Sequence, residues 1–283
     1  MDILELLDDD ISIASLPSVY HQFQDAIACD DTSFAKIGEI ILYDSGLTAR
    51  LLKIVNSAYY GFPEPIEKIS DAIHVVGIEQ LSYLVLSTVV TDKFNSIPES
   101  VLNMESFWKH SIACGLIAKE LASLKKGLEP EKFFVAGMLH DIGQVILCTK
   151  LPLLSMKILL DLQSQNEQID ILENEELDFD HAELGAKLLK KWNLSDFHIE
   201  VTSFHHKPHQ APNYSFEASL IYFADILADT MQLGSSGEKP VSSNLEEETW
   251  ENLNFSEQIS LFELKGKIAE AYDETLSLFL QTT

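Results

Sequence analysis

Apolar residues recur at the spacing of an α-helix along most of this chain, and that period constrains the fold more than any other feature. The first clear stripe consists of Leu47, Leu51, Ile54, Val55 and Ala58. Gly61 closes it, with Pro63 and Pro65 beyond, as expected where a helix ends. We find neither alternating period-two segments with hairpin turns nor an internal repeat of fixed period. The pattern therefore predicts an all-α fold.

The next two helices are separated by one glycine. Ser70 can cap a helix over residues 71–76, which Gly77 interrupts. Residues 78–90 then resume as a more completely buried helix. The apolar run at 83–90 is broken by Ser87 and Thr88. It is far shorter than the roughly 20 residues that span a bilayer, so we expect no membrane insertion.

Breaks in the helical pattern suggest the domain organisation. Residues 95–99, which include Pro98, are the best internal linker. We therefore predict an N-terminal helical subdomain over 1–97 and a longer helical subdomain over 98–283. A second irregular stretch covers 234–244, and the acidic run 246–248 after it is interpreted as a solvated helix face.

The charge balance excludes several classes of partner. Lys plus Arg number 19 and Asp plus Glu number 45, which gives a net charge of −26. Such a field repels polyphosphate backbones and disfavours anionic membranes, so we expect no non-specific nucleic-acid binding and no membrane partner. The chain has one arginine, Arg50, although arginine is the usual bidentate clamp for phosphate.

The cysteines and the N-terminus favour the cytoplasm. Cys29, Cys114 and Cys148 are odd in number and widely spaced, which argues against a disulfide framework or a cysteine-based zinc site. The first residues lack the basic region of a secretory signal. We therefore expect a reducing, cytoplasmic environment.

The residues that could bind a metal are histidines and acids on the inner faces of helices. A stripe from Phe107 to Leu121 at spacing 3, 4, 3, 4 points His110 into the core. A second helix, with proline at its first position, carries His140 on its inward face with Asp141 alongside. A buried carboxylate is costly unless something pairs with it, and a metal shared with the imidazole would do so.

Three further segments add ligand-type side chains. Asp180 with Glu183 forms an N-capping box, which begins a helix at His181. Taken alone, that segment could contain only a cap and an exposed histidine. His205 and His206 lie at a helix end, and spacing from Ala218 to Ala228 places Asp225 on an inner face.

Together these segments predict a metal site. The candidate ligands are His110, His140, Asp141, His181, His205, His206 and Asp225. Imidazole with carboxylate suits Fe, Mn, Zn or Ni rather than calcium, and the number of residues allows one ion or two. Two adjacent ions could activate a bridging water. The alternative is a buried hydrogen-bonded network that is satisfied without an ion.

The order His110, His140-Asp141, Asp225 resembles the metal signature of the HD phosphohydrolase superfamily. His181, His205 and His206 are similar to the additional histidines of the HD-GYP cyclic di-GMP phosphodiesterases. Segments 16–18, 44–47, 51–58, 72–77, 108–110 and 180–186 resemble the HDOD domain. The resemblance covers roughly residues 12–231, and the Asn56-Ser57-Ala58 segment together with the later histidines makes it specific.

The resemblance implies an HD-like helical bundle preceded by an N-terminal helical subdomain, in a bacterial signalling context. Most HDOD proteins are regarded as regulatory modules without hydrolase activity. Gln144 stands where the HD-GYP group has lysine, no Gly-Tyr-Pro follows His206, and Ser106 replaces an acid one turn before His110. These differences remove residues that are expected to hold the substrate and a third metal.

Two functions remain open from the sequence. The first is a regulatory module that binds a protein partner, with Asn56 and Ser57 forming a partner or ligand surface unless they merely end a helix. The second is a metal-dependent phosphohydrolase acting on a nucleotide or cyclic dinucleotide, in which Asp141, Lys109 and Lys207 would have catalytic roles. A phosphodiester needs cations besides the metal, which favours the regulatory module.

Overall fold

The computed structural model describes residues 3–8, 16–29, 32–57, 60–94, 101–164, 167–238, 249–250, 253–255 and 259–280. The described residues contain helices and no β-strand, which confirms the all-α prediction. The helices, numbered in chain order, are α1 (Ile3–Asp8), α2 (Ser18–Ile27), α3 (Phe34–Leu42), α4 (Ser45–Val55), α5 (Ile69–Val76), α6 (Ile78–Phe94), α7 (Met104–Ser123), α8 (Pro130–Leu139), α9 (Ile142–Lys150), α10 (Pro152–Ser164), α11 (Ile169–Leu177), α12 (His181–Lys191), α13 (Asp196–Phe204), α14 (Ser215–Thr230) and α15 (Leu261–Phe279). A 3₁₀ turn covers Pro208–Gln210.

The chain forms two compact units. The first, the large unit, consists of Met1–Ser15 and Ile97–Glu270, and the second, the small unit, consists of Leu16–Ser96 and Ala271–Thr283. Both units are discontinuous in sequence, whereas the sequence suggested one cut between residues 97 and 98. The two-domain assignment stays a prediction. The linker at 95–99 and the acidic run at 246–248 lie outside the described residues.

Helix ends in the small unit differ in detail from the sequence pattern. The α4 stripe is buried through Val55, where the helix ends, six residues before Gly61. Ser70 lies inside α5, because that helix begins at Ile69 after Lys68, so it is not the cap. Gly77 does end α5, with φ of 95°, and α6 extends to Phe94 rather than residue 90.

The side chain of Asn56 holds the loop that follows α4. Its Nδ2 donates to the carbonyl oxygens of Leu52 at 2.9 Å and Ile66 at 2.8 Å, and its Oδ1 accepts from the Ile66 N–H at 2.6 Å. Ser57 donates from its hydroxyl to the Ile54 carbonyl at 2.7 Å. These bonds give Asn56 and Ser57 a structural role at a helix end.

In the large unit, α7 packs against α8 and α14, while α12 packs against α9 and α13. The buried residues of α7 extend along almost the whole helix, and Phe107, Trp108 and Ile112 among them are fully buried. These contacts bring α8 and α14 against α7, and the start of α12 against the start of α9. The helices therefore converge on the histidines predicted from the sequence.

No single helix in the described ranges is long and apolar enough to cross a membrane. The pair α5 and α6 passes the same length and composition test together, with a bend of 119° between them.

Candidate metal centre

The structure brings all seven predicted ligands together inside the large unit. His110 lies within α7, His140 ends α8, Asp141 precedes α9 and Asp225 lies within α14. His181 begins α12, and His205 and His206 follow α13. His181 is fully buried, so the interpretation of that residue as an exposed histidine is wrong. The side chains form two adjacent groups of metal-ligand type.

The first group consists of His110, Cys114, His140 and Asp225, each offering one atom within 4.8 Å of the others. The Nε2 atom of His110 lies 3.0 Å from Oδ1 of Asp225, and Nε2 of His140 lies 3.7 Å from the same oxygen. The Sγ atom of Cys114 lies 3.4 Å from Nε2 of His110. All four residues are buried, so this group could hold an ion away from solvent.

The second group consists of Asp141, His181, His205 and His206. The Oδ1 atom of Asp141 lies 3.4 Å from Nε2 of His181 and 3.3 Å from Nε2 of His205. Its other oxygen, Oδ2, lies 3.2 Å from Nε2 of His140 in the first group. Asp141 therefore lies between the two groups and could contribute an oxygen to each.

Three histidines are oriented by acceptors on their outer side. The Nδ1–H groups of His140 and His205 donate to the carbonyl oxygens of Gly137 at 2.6 Å and Thr202 at 2.7 Å. The Nδ1–H of His181 donates to the Glu173 carboxylate at 2.6 Å. Because Nδ1 must carry the proton in each case, the neutral ring presents the Nε2 lone pair inward. Metal-binding histidines have this arrangement.

The buried nitrogen and oxygen atoms that face the cluster show whether a cation fits the site. Among the described residues, buried atoms that make no hydrogen bond of normal geometry include Nε2 of His140 and His205, both carboxylate oxygens of Asp141, and Oδ1 of Asp225, although they lie 3.0–3.7 Å from an opposing imidazole nitrogen or carboxylate oxygen. Buried polar atoms are normally satisfied, and an unsatisfied group costs about 1–3 kcal/mol. Five acceptor-type atoms converging in one place fit a divalent cation.

The Nε2 atoms of His181 and His206 lie 3.0 Å apart. Two imidazole lone pairs at that distance repel, so either one nitrogen donates a proton to the other or both nitrogens bind the same cation. Burial, followed by the charges on His205 and His181, holds the pKa of His206 well below its usual range. That shift favours the neutral form of His206, which is the form that binds metal.

The surrounding charge is negative. Burial raises the pKa of Asp229 to about 7, and the nearby Asp225 charge adds to the effect. Burial lowers the pKa of His140, but the charges of Asp141 and Asp225 outweigh it, so that pKa lies well above its usual value. Without a metal the cluster therefore attracts protons, which a metal ion would displace.

Gly143 allows the close approach that joins the two groups. A Cβ atom at this position would lie 1.9 Å from the carbonyl oxygen of His181 and 2.8 Å from the backbone nitrogen of Gly185. The first turn of α9, which follows Asp141, therefore contacts the first turn of α12 through backbone alone. Any side chain at residue 143 would separate Asp141 from His181.

Three acids and a cysteine at the site were not predicted as ligands or partners. Cys114 lies one turn from His110 on the same stripe, so the helical spacing already contained a signal for it. Asp229 lies one turn beyond Asp225, and its Oδ1 is 3.5 Å from Nδ1 of His110. Glu173 and Glu238 reach the site from outside the predicted segments.

The two lysines considered for catalysis pair with acids outside both groups. Lys109 contacts Glu105 at 2.5 Å on the exposed face of α7. Lys207 contacts Asp170 at 2.8 Å and Asp180 at 3.6 Å. These contacts direct both ammonium groups to carboxylates rather than to the metal-type cluster.

Comparison with known proteins gives consistent matches. The HDOD domain model matches residues 13–208. An uncharacterized protein of Treponema pallidum (strain Nichols) is 30% identical over 227 residues, which are 79% of this chain and 43% of that protein. Ribonuclease Y of Lactobacillus helveticus (strain DPC 4571) is 25% identical over 182 residues, 64% of this chain and 27% of that enzyme. This chain thus spans less than half the length of these relatives.

A solved structure resembles nearly the whole chain. It is an HDOD domain protein of unknown function from Geobacter sulfurreducens, with a TM-score of 0.74 and 25% identity. The match covers 99% of this chain and 100% of that one. The helical architecture described above is thus also found in an experimental structure.

Proposed function

The chain belongs to the HDOD domain family, and from that premise we propose that it is a bacterial signal-transduction module that acts by binding. Its partner is a protein, and a nucleotide is the alternative ligand. A divalent ion bound in the large unit holds α7, α8, α9, α12 and α14 together. The setting proposed is a reducing cytoplasm, which the odd number and wide spacing of Cys29, Cys114 and Cys148 support.

We assign the core ion to His110, His140, Asp141 and Asp225, and a second position to His181, His205 and His206. Imidazole with carboxylate favours Fe, Mn, Zn or Ni. The five unsatisfied inward atoms support this assignment. Cys114 is a further candidate ligand for the first position, because its Sγ lies in the same group.

The observation that favours binding over hydrolysis is the pairing of the nearby cations. A phosphodiester that reacts at a metal centre needs further positive groups to stabilise its developing charge. Lys109 and Lys207 are paired with Glu105, Asp170 and Asp180. The single arginine, Arg50, belongs to the small unit and pairs with Asp92. The acids around the cluster would repel a phosphate further.

The experiment is a turnover assay on metal-loaded protein. Protein loaded with Fe, Mn or Ni under reducing conditions is incubated with cyclic di-GMP, and linear product is followed by chromatography. We expect no turnover above that of the Asp141→Ala variant. Sustained turnover on the order of one per second, within the usual enzyme range, that is lost in Asp141→Ala and kept in His21→Ala would contradict the proposal.

A metal-dependent phosphohydrolase is the second candidate function. Asp141 lies between two ligand groups, and two ions at such positions would supply an activated water. The similarity to ribonuclease Y supports the same candidate, and its name suggests RNA as a second substrate for the assay. Cleavage of a single-stranded RNA with the same dependence on Asp141 would favour this function.

A further inference from the structure

A short segment after α14 crosses the metal-type cluster. This segment, Leu233–Glu238, is called the strap below. Its first residue donates from the backbone N–H to the Ala228 carbonyl at 3.0 Å, and Ser235 donates to the Ser106 carbonyl at 3.1 Å. The strap therefore starts at the end of α14 and lies along the first turns of α7, next to His110.

Gly234 makes this close approach feasible. Its φ is +87°, and a Cβ atom there would lie 2.4 Å from both the Ser106 carbonyl oxygen and the His110 nitrogen. Ser236 is almost fully buried, and Gly237 donates to the Ser235 hydroxyl at 3.0 Å. The strap is thus a built part of the large unit, packed against the helix that carries His110.

The strap delivers a third carboxylate to the cluster. Oε1 of Glu238 lies 3.7 Å from Nε2 of His181 and 3.6 Å from Nε2 of His206. One ligand atom each from Glu238, His206 and Asp225 lies within 4.8 Å of the others. The Glu238 side chain is 14% exposed. It is therefore more exposed to solvent than His181, His206 and Asp225.

Gln144 holds this carboxylate in place. Its Nε2 donates to Oε1 of Glu238 at 2.9 Å, and Gln144 is itself buried. An amide supplies a hydrogen bond but no charge, so an ionised Glu238 carboxylate would depend on the histidines and on a cation that they hold for its charge balance. A buried carboxylate is costly without such a partner. Gln144 therefore positions Glu238 toward the cluster without neutralising it.

We propose that Glu238 is an intrachain ligand of the metal centre, and that it closes the centre by occupying the position of an incoming phosphate or carboxylate. The proposal rests on the metal centre proposed above. An anion reaches the ions only when the strap moves. Closure by the chain's own carboxylate explains how a centre with two ligand groups can serve binding and structure rather than hydrolysis.

The experiment uses the full chain loaded with Mn²⁺ and compares the wild type with Glu238→Gln and Glu238→Ala. Glu175→Gln, which alters an exposed acid of α11, is the matched control. Two quantities are measured: the rate at which a chelator removes the metal, and the affinity for inorganic phosphate by calorimetry. Gln144→Leu releases the same carboxylate from the opposite side and provides a second test of the strap.

We expect metal loss to be about 10-fold faster or more in both Glu238 variants, since altering groups around a metal site costs about 10–100-fold in affinity. Phosphate affinity should rise at least about 10-fold in Glu238→Ala, because the competing carboxylate is gone. Gln144→Leu should move both quantities in the same direction by less. Glu175→Gln should match the wild type.

The outcomes separate the two proposals. If all variants bind metal with wild-type kinetics and wild-type phosphate affinity, the role of Glu238 is wrong and the metal centre stands. If the wild type binds no metal, both proposals fail. Circular dichroism in the presence of chelator checks the folding of each variant, and Glu238→Gln keeps the shape and the Gln144 contact if Glu238→Ala unfolds.

Discussion

The Glu173 carboxylate accepts two hydrogen bonds from His181 through one oxygen, from the backbone N–H at 2.7 Å and from Nδ1 at 2.6 Å. Both residues are buried. The first bond satisfies a free N–H at the start of α12, and the second fixes the ring so that Nε2 faces the cluster. One acid on α11 thus sets both the helix start and the direction of a candidate ligand.

This relationship predicts the effect of Glu173→Gln. The neutral amide loses the negative charge that holds the Nδ1 proton, so the His181 ring is less firmly oriented and less basic. We expect metal affinity to fall about 10–100-fold, as is typical when such a supporting group is changed. Competitive titration against a chelator measures it, with Glu175→Gln on the same helix as control. Equal affinity in the two variants would contradict the role of Glu173.

Gly143→Ala should disrupt the contact between α9 and α12. The new Cβ would lie 1.9 Å from the His181 carbonyl oxygen, so the backbones must separate. Overpacking typically costs about 1–3 kcal/mol and sometimes more. We expect a loss of unfolding free energy at the upper end of this range in chemical denaturation, together with reduced metal content.

Gly266→Ala is the matched control for that substitution. Gly266 lies inside α15, and a Cβ there meets nothing within 4 Å. Alanine at such a position should raise the unfolding free energy by about 0.5–1 kcal/mol. If Gly143→Ala behaves like Gly266→Ala, the close approach at Asp141 and His181 is not as described.

The buried His198 predicts a pH dependence of stability. Burial, aided by the charge of Lys132, lowers its pKa from 6.5 to about 3 in the folded protein. As the pH falls, His198 therefore takes up a proton in the unfolded chain before it does so in the folded protein. The free energy of unfolding decreases as the pH falls below about 6.5. Each unit of pKa difference is worth about 1.4 kcal/mol, so we expect a loss of about 2 kcal/mol between pH 7 and pH 5.

The comparison of wild type with His198→Asn separates the effect of His198 on stability from that of the other histidines. Asn can keep the contact that Nδ1 of His198 makes with the Ser195 hydroxyl at 2.9 Å. We expect the variant to be less stable at pH 7 and to approach the wild type as the pH falls. A stability difference that does not change with pH would contradict the prediction, and His21→Asn controls for loss of an imidazole.

The helices and the clustering of the seven candidate ligands were accessible from the sequence because their signals are local. The 3-and-4 spacing placed His110 and Asp225 on inner faces, and the capping box at Asp180 located the start of α12. The Asp180 carboxylate does accept from the Glu183 N–H, at 2.9 Å. Local spacing therefore predicts which faces are buried, but not which other segments reach them.

The partners of those ligands depend on contacts that no local pattern shows. Glu173 lies among other acids in the sequence ILENEEL; its spacing from Ile169 and Leu177 places it on the buried face, but nothing local shows that His181 is its partner. Glu238 lies in an irregular stretch, and its contact with Gln144 joins residues 94 positions apart. The placement of Ala271–Thr283 in the small unit is likewise a long-range packing result.

Elemental analysis of the purified protein tests the central claim, the metal centre, most directly. The comparison includes the wild type, His140→Ala and, as control, His21→Ala, which alters an exposed histidine outside the cluster. We predict one or two equivalents of Fe, Mn, Zn or Ni in the wild type and in His21→Ala, and a clear loss in His140→Ala. A wild type without bound metal, or equal metal content in all three proteins, would contradict the account.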